Sequence, residues 1–436
     1  METSFVPFSE LLSEVIDNRG RTCPTSDTGI PLIATNCIRN DLLYPVYEKI
    51  RYVSPDTYET WFRGHPKPGD LILVLKGTPG RICIAPDPVD FCIAQDMVAL
   101  RVDESRVYPK YLFALLRSAQ IQSKIEQMHV GTLIPHFKKG DFDKLLLPIP
   151  NREAQYFIGD LYFTLSSKID VNRRMTEVLD GIARALFQSW FVDFDPVRAK
   201  VESRDTTLAK SIADLFPDSF EDSEIGEIPA GWSVGTIEKL AEVNALTLSR
   251  TDPLDPIDYV EISEVMLGEI RNIIRYERGS EPSRARRRLR HGDSVLSTVR
   301  PDRGSYFLAL NPPETLVAST GFAVLTPKND HWAFLHSLAT RREVGDQLGR
   351  LADGGAYPAI RPEVVGQISV AIPPTSEPIV LFEKLVRPLY EKSGQNRGQS
   401  RTLGQLRDAV LPKLISGELL LPDAERIVGG RCNGAL

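Results

Sequence analysis

GTLIPHF, Gly131 to Phe137, returns as GGAYPAI, Gly354 to Ile360, so that Pro135 and Pro358 stand 223 residues apart. The same offset separates Asp70 of PGD from Asp293 of HGD, and Pro150 of LLLPIP from Pro373 of SVAIPP. Between these landmarks, IAQDMVALRV from Ile93 resembles VASTGFAVLT from Val317. Nearer the start, SELLSEV (Ser9–Val15) resembles IEKLAEV (Ile237–Val243) at an offset of 228, a slip that one loop insertion accounts for. Landmarks in the same order and nearly the same register mean one unit written twice.

Both copies share a grammar. A short amphipathic helix opens each. Strand-like runs follow, DLILVLKG and DFCIAQDMVALRV in the first copy, DSVLSTVR and ASTGFAVLT in the second, bounded by Gly, Pro and Asp. A helix comes next, and after PIP or AIPP the pattern turns to a long helical arm. The expected fold is α+β: two similar mixed α/β globules, residues 1–150 and 231–373, joined by two long antiparallel coiled-coil-like helices, 151–195 and 374–424, about a pseudo-twofold axis. Residues 196–230 read as an exposed, loosely ordered linker with five acids between Asp218 and Glu227, and 425–436 as a tail.

The first arm places Ile158, Leu161, Leu165, Asn172, Met175, Leu179, Ile182 and Leu186 mostly at alternating spacings of three and four, a coiled-coil seam. Asn172 either fixes pairing register or marks a solvated kink. An arm of this kind, roughly 65 Å long at 1.5 Å per residue, cannot bury its stripe alone. The second arm offers Leu381, Leu385, Leu389, Leu403, Leu406, Val410 and Leu414, with a break or weak turn expected at SGQNRGQS (Ser393–Ser400). At the end of the first arm, ALFQSWFVDF (Ala185–Phe194) carries Phe187, Trp190, Phe191 and Phe194. This patch is either a core plug where arm meets globule or an interface for a partner subunit, where Trp and Phe are favoured.

Composition excludes several classes. No apolar run is long enough to span a membrane, and METSFVPFSELLSEV lacks the features of a secretory signal. Five cysteines without a CxxC pair read as reduced thiols in a cytoplasmic protein. There is no P-loop, no HExxH, no Gly-x-Ser-x-Gly elbow, and no lysine with an acid two residues before it; NPPE (Asn311–Glu314) lacks the aromatic of an adenine methyltransferase motif. The chain reads as non-catalytic, with no metal and no cofactor of its own.

What remains is charge. SRARRRLRHGD (Ser283–Asp293) contributes Arg284, Arg286, Arg287, Arg288 and Arg290, and FRGHPKPGD contributes Arg63, His65 and Lys67 at the matching place. Basic residues at every second position share one face of an extended segment, which suits phosphates and guanine edges. Lys76 and Arg81 in LKGTPGR, Arg300 and Arg303 in STVRPDRG, and Lys138 and Lys139 after GTLIPHF can reach the same duplex. The competing reading is a helical scaffold or adaptor with two interaction domains and no DNA; the paired basic rows favour DNA.

LPIPNREAQ and NRRMTEVLDGIARALFQSWFVDFDPV at the two ends of the first arm, GEIPAGWSVGTIEKLAEV opening the second globule and LRDAVLPKLISGEL ending the second arm together resemble the DNA-specificity subunit of type I restriction–modification systems over nearly the whole chain. The resemblance implies that each globule is a target-recognition domain reading one half of a bipartite DNA sequence, with the arms setting the spacer. It also implies two modification subunits that bind S-adenosylmethionine and methylate adenine, and restriction subunits that translocate DNA with ATP and magnesium.

Overall fold

A computed structural model describes residues 3–18, 22–128, 135–249, 251–355, 357–420 and 423–424. The tail expected over 425–436 lies outside the described residues. The chain divides into two compact units, residues 1–174 with 398–436, and residues 175–397. Each arm therefore gives half of its length to each unit, in place of forming separate segments.

The duplication holds strand by strand in the four-stranded sheet, and the second sheet of the second unit has one strand more, Ala285–Arg288. In the first unit a four-stranded antiparallel sheet runs in the order Leu12–Asp17, Met97–Val102, Leu71–Val74, Ile82–Ile84. In the second the order is Ala241–Val243, Phe322–Pro327, Asp293–Ser297, Tyr306–Ala309. A second sheet in each unit contains one parallel pair, Ile30–Ile33 with Cys92–Ile93 and Ile257–Val260 with Leu316–Ser319. Thr3–Pro7 pairs with Leu146–Pro150 in the first unit, and Ser233–Thr236 with Ser369–Ile372 in the second.

Central strands explain their own composition. LILV at Leu71–Val74 is buried throughout because both faces are covered. Alternate residues point to opposite faces, so Leu71 and Leu73 join the core shared with the helices and arms, while Ile72 and Val74 join the core against the second sheet. The opening element of each unit is shorter than its amphipathic pattern suggests. SELLSEV is one 3₁₀ turn, Phe8–Leu11, followed by strand, and IEKLAEV is one helical turn followed by strand. The helix after the strands is two helices in each unit, Pro109–Arg117 with Ala119–Met128 and Trp332–Ala339 with Arg342–Leu351.

Both arms are 40-residue helices, Arg152–Phe191 and Glu377–Ser416. The break expected at Ser393–Ser400 is absent. Gly394 is there for close approach, since a Cβ on it would sit 2.6 Å from Leu310, and Ser393 and Asn396 are buried. Within the first unit the arm halves run antiparallel. Ile158, Leu161 and Leu165 face Val410, Leu411 and Leu414, Leu403 and Leu406 are buried beside them, and Asn172 Nδ2 donates to Gln399 Oε1 at 2.7 Å. Asn172 is thus a paired inward residue and not a kink.

Within the second unit the seam turns from the expected one. Met175 and Ile182 are 42% and 50% exposed, Leu385 is also exposed, and Leu179 and Leu186 are half-buried. The inward side carries Thr176, Ala183 and Phe187 from one arm and Phe382, Glu383, Val386 and Tyr390 from the other. Asp180 pairs with Arg397 there. Polar and small residues take the inward positions, so apolar periodicity alone picks the wrong side.

The patch Phe187, Trp190, Phe191 and Phe194 is core, which corrects its assignment to a partner interface. All four are at most 6% exposed. Phe191 meets Phe334 edge-on at 4.9 Å between ring centroids, Trp190 meets Phe216 at 5.4 Å, and Phe194 meets Trp232 at 5.6 Å. Phe216 and Ile228 come from the stretch read as a loose linker. Residues 196–230 instead hold helices, Asp195–Val201 and Lys210–Ala213, and a hairpin, Phe220–Ser223 with Gly226–Pro229. The acids occupy the hairpin region while Val197, Phe216 and Ile228 bury against the aromatics.

Two predictions follow from this packing. Phe187→Ala should cost about 3–5 kcal/mol in urea unfolding of the full chain, whereas Ile182→Ser should stay within roughly 0.5 kcal/mol; equal costs would restore the expected seam. The second concerns His336, whose Nδ1 lies 3.1 Å from Ser294 Oγ in the core. Burial, with Arg397 and Arg184 nearby, lowers its pKa from 6.5 to about 3. The folded state excludes a proton that the unfolded chain accepts. The stability this site carries is therefore complete above pH 6.5 and falls as pH drops, by about 1.4 kcal/mol per pH unit. Relative to His336→Gln, wild type should lose about that much between pH 7.5 and 5.5 in urea midpoints.

Candidate nucleic-acid interface

The repeat landmarks occupy one place in each unit, and backbone hydrogen bonds explain them. In the first unit Gly77 N–H donates to the Pro135 carbonyl at 2.9 Å and Phe137 N–H to the Leu75 carbonyl at 2.8 Å. In the second, Arg300 N–H donates to Pro358 at 2.8 Å and Ile360 N–H to Thr298 at 2.9 Å. Every one of these partners matches its counterpart at the 223-residue offset. The turn after the central strand is thereby clamped to the proline loop, and both carry basic residues. Asp70 and Asp293 have a different task. Each accepts the backbone N–H three residues before it, from Lys67 and from Arg290, both at 2.7 Å. The Gly-Asp motif closes a turn and does not face a ligand.

In the first unit the clamp joins Lys76 to His136 in a backbone bridge, and exposed Lys138 follows directly. Arg63 and Lys139 come together on Asp17, so two cations share one carboxylate. Arg81 is half-buried at the far end of the turn, and Lys67 is exposed. His65 departs from the expected row. Its ring stacks on Tyr58 at 3.7 Å and tilts against Phe62, and burial lowers its pKa, so it packs against rings in place of extending a cationic row.

The row in the second unit is strand only over Ala285–Arg288, and its pairing with Leu316–Ser319 slips register between Ala285 and Arg287. The matching stretch of the first unit, Phe62–Lys67, is loop. The alternation therefore does not make one cationic face. Arg286 is held by Glu281 at 3.3 Å, beside Arg278. Burial lowers the pKa of half-buried Arg287. Arg288 is half-buried, and Arg284 and Arg290 are exposed. Arg284 does join the clamp. Thr320 N–H donates to its carbonyl, and the adjacent Gly321 carbonyl accepts from Thr298 N–H and Oγ1. Backbone bonds thus tie Arg284, by way of Thr320 and Gly321, to Thr298, two residues before Arg300. Sequence reasoning missed Tyr357, 73% exposed, whose ring lies 4.7 Å below the Arg300 guanidinium. Its signal was an aromatic set between two glycines and a proline in GGAYPAI.

Ser294 and His336 touch, but both are sealed in the core. Among the described residues no group of three His, Cys, Asp or Glu side chains is placed to hold a metal ion, and no helix is long and apolar enough to cross a membrane.

Residues 16–180 match the family model of the type I restriction modification DNA specificity domain. The chain is 25% identical over 410 residues to the type I restriction enzyme HindI specificity subunit of Haemophilus influenzae, covering 81% of this chain and 87% of that one. It is 23% identical over 372 residues to the MjaIX specificity subunit of Methanocaldococcus jannaschii, covering 83% and 80%. Among solved structures, the S subunit of a type I restriction–modification system from M. genitalium shares the fold with a TM-score of 0.55 at 14% identity, over 95% of this chain and 96% of that one.

The clamp makes a stability prediction. Gly77 has φ +86°, so Gly77→Ala should cost about 1 kcal/mol. Arg300 already adopts φ 47° at the matching place. Arg300→Gly should change stability by less than about 1 kcal/mol, because relief of left-handed strain offsets the chain entropy that glycine adds. Urea unfolding of both variants checks the pair; a large loss for Arg300→Gly would mean the side chain is structural.

Proposed function

We propose that this chain, which belongs with the type I restriction–modification specificity subunits, is the sequence-reading subunit of such a system. Each unit reads one half of a bipartite duplex target, and the chain directs adenine methylation and restriction carried out by other subunits. The observation that supports this best is the duplicated clamp. One backbone scaffold presents a basic turn in both units, while the side chains on it differ. A reader of two unlike half-sites needs that combination: fixed position and variable contacts.

Exposed Lys76, Lys138 and Arg303 suit phosphates, giving affinity that falls with salt, and the base-edge contacts lie within the same turns. Methylation of an adenine inside a duplex requires the base to be flipped out. That chemistry is assigned to two modification subunits with S-adenosylmethionine, and translocation to restriction subunits with ATP and magnesium, all in the cytoplasm. This chain supplies no catalytic group. With the aromatic patch buried, the outward apolar residues Met175, Val178 and Ile182 of the first arm are the surface assigned to a modification subunit.

Methylome sequencing of the host with and without the gene tests the reading. A two-part adenine-methylated motif with a fixed gap, lost on deletion, is expected. An unchanged methylome in cells expressing the modification subunits would overturn it. In gel shifts of the assembled complex, Lys138→Ala should weaken target and random duplex alike and reduce the salt slope by about one.

A further inference from the structure

The second unit holds on its clamp a pair of side chains that the first does not. Arg300 sits at φ 47° and ψ 58°, a left-handed conformation that disfavours residues with a Cβ, where the first unit has glycine. The turn it opens, Pro301–Arg303, is braced from behind by the helix Arg342–Leu351. Gly345 and Gly349 of that helix face the turn, and a Cβ on Gly349 would come within 3.0 Å of the Asp302 side chain. Across the clamp, Asp353 and Ala359 exchange two backbone hydrogen bonds, 3.1 and 2.9 Å, and close the loop that carries Tyr357. The result is an exposed aromatic ring with a guanidinium 4.7 Å from its centroid, both mounted on pinned backbone.

Arg300 is half-buried and keeps a left-handed backbone that a glycine would adopt without strain, which points to a role for its side chain beyond shaping the turn. Stacking on a ring fixes the plane of a guanidinium. A guanidinium in a fixed plane matches the O6 and N7 acceptors of guanine with two parallel hydrogen bonds. Arg303, in the same turn and exposed, has no ring beside it among the described residues and suits a phosphate.

We propose that Arg300 is a specificity-determining residue that contacts a guanine in the half-site read by the second unit, and that Tyr357 is the positioning residue holding its guanidinium. The assignment rests on the DNA-reading function proposed above. The test is selection from a random duplex pool by the full chain assembled with its modification subunits, followed by sequencing. Wild type is expected to recover a split motif with a G·C pair in one half. Arg300→Ala should lower the preference at one such pair by about tenfold or more and leave the other half-site intact, which also shows that the chain is folded. Tyr357→Phe should keep the preference, and Tyr357→Ala should weaken it at the same base pair. If Arg300→Ala lowers recovery evenly for all sequences, Arg300 is a phosphate contact and the assignment fails; it fails equally if the motif is unchanged, or if Tyr357→Phe behaves like Tyr357→Ala. A wild-type pool with no split motif overturns the DNA-reading function and this assignment together.

Discussion

A 40-residue helix whose inward side carries Ile158, Leu165, Phe187 and Trp190 has to be covered over its whole length. Isolated helices are marginal in water, and their stability in proteins comes from burying a face. The second arm supplies the cover in each unit, and it does so in two chemistries. In the first unit the cover is aliphatic, Leu403, Leu406, Val410 and Leu414. In the second it is aromatic and polar, with Phe382 among four rings and Glu383 accepting the Phe334 N–H at 2.7 Å. Glu383 also meets Arg387 at 2.6 Å. A buried carboxylate with a backbone donor and an arginine is satisfied and gives one register; left alone it would be costly.

The repeat is strictest where the backbone bonds to itself. Pro135 and Pro358, Gly77 and Arg300, Asp70 and Asp293 align because each takes part in, or opens, a hydrogen bond that pins a turn. Side chains on those turns differ between the units: Lys76 has Val299 at its matching place, and Arg81 has Gly304. A scaffold divided this way can change what it contacts without changing where it makes contact.

That division also sets what could be read from the sequence. The proline and Gly-Asp landmarks were legible because backbone geometry restricts residue type. The first half of the arm was legible because Ile158, Leu161 and Leu165 are aliphatic at coiled-coil spacing. The second half was not: Thr176 and Ala183 take inward positions while Met175, Val178 and Ile182 face out. Hydrophobic periodicity carries no information where a seam is built from rings, small residues and an Asp180–Arg397 pair. The linker was misread for a related reason. Its acids dominate the composition, yet Val197, Phe216 and Ile228 decide its structure by packing under Trp190 and Trp232. The alternating basic row failed because alternation puts residues on one face only in a regular strand, and here one copy is loop and the other carries a bulge.

The charges show why a chain with a formal net charge of −6 is compatible with DNA binding. Several of its basic residues are already committed. Arg101 is tied to Asp70 and Glu14, Arg63 and Lys139 share Asp17, and Arg278 and Arg286 share Glu281. These arginines and lysines hold turns and sheet edges in place, so counting cations along the sequence overstates the field offered to a phosphate backbone. At the clamped turns the balance differs: exposed Lys76 and Lys138 in one unit, exposed Arg303 and the ring-mounted Arg300 in the other. Screening at physiological salt confines each charge's reach to about 8 Å. A phosphate docked at such a turn therefore senses the local cations far more than charges beyond that reach, and the sign of the whole chain has little bearing on what its turns attract.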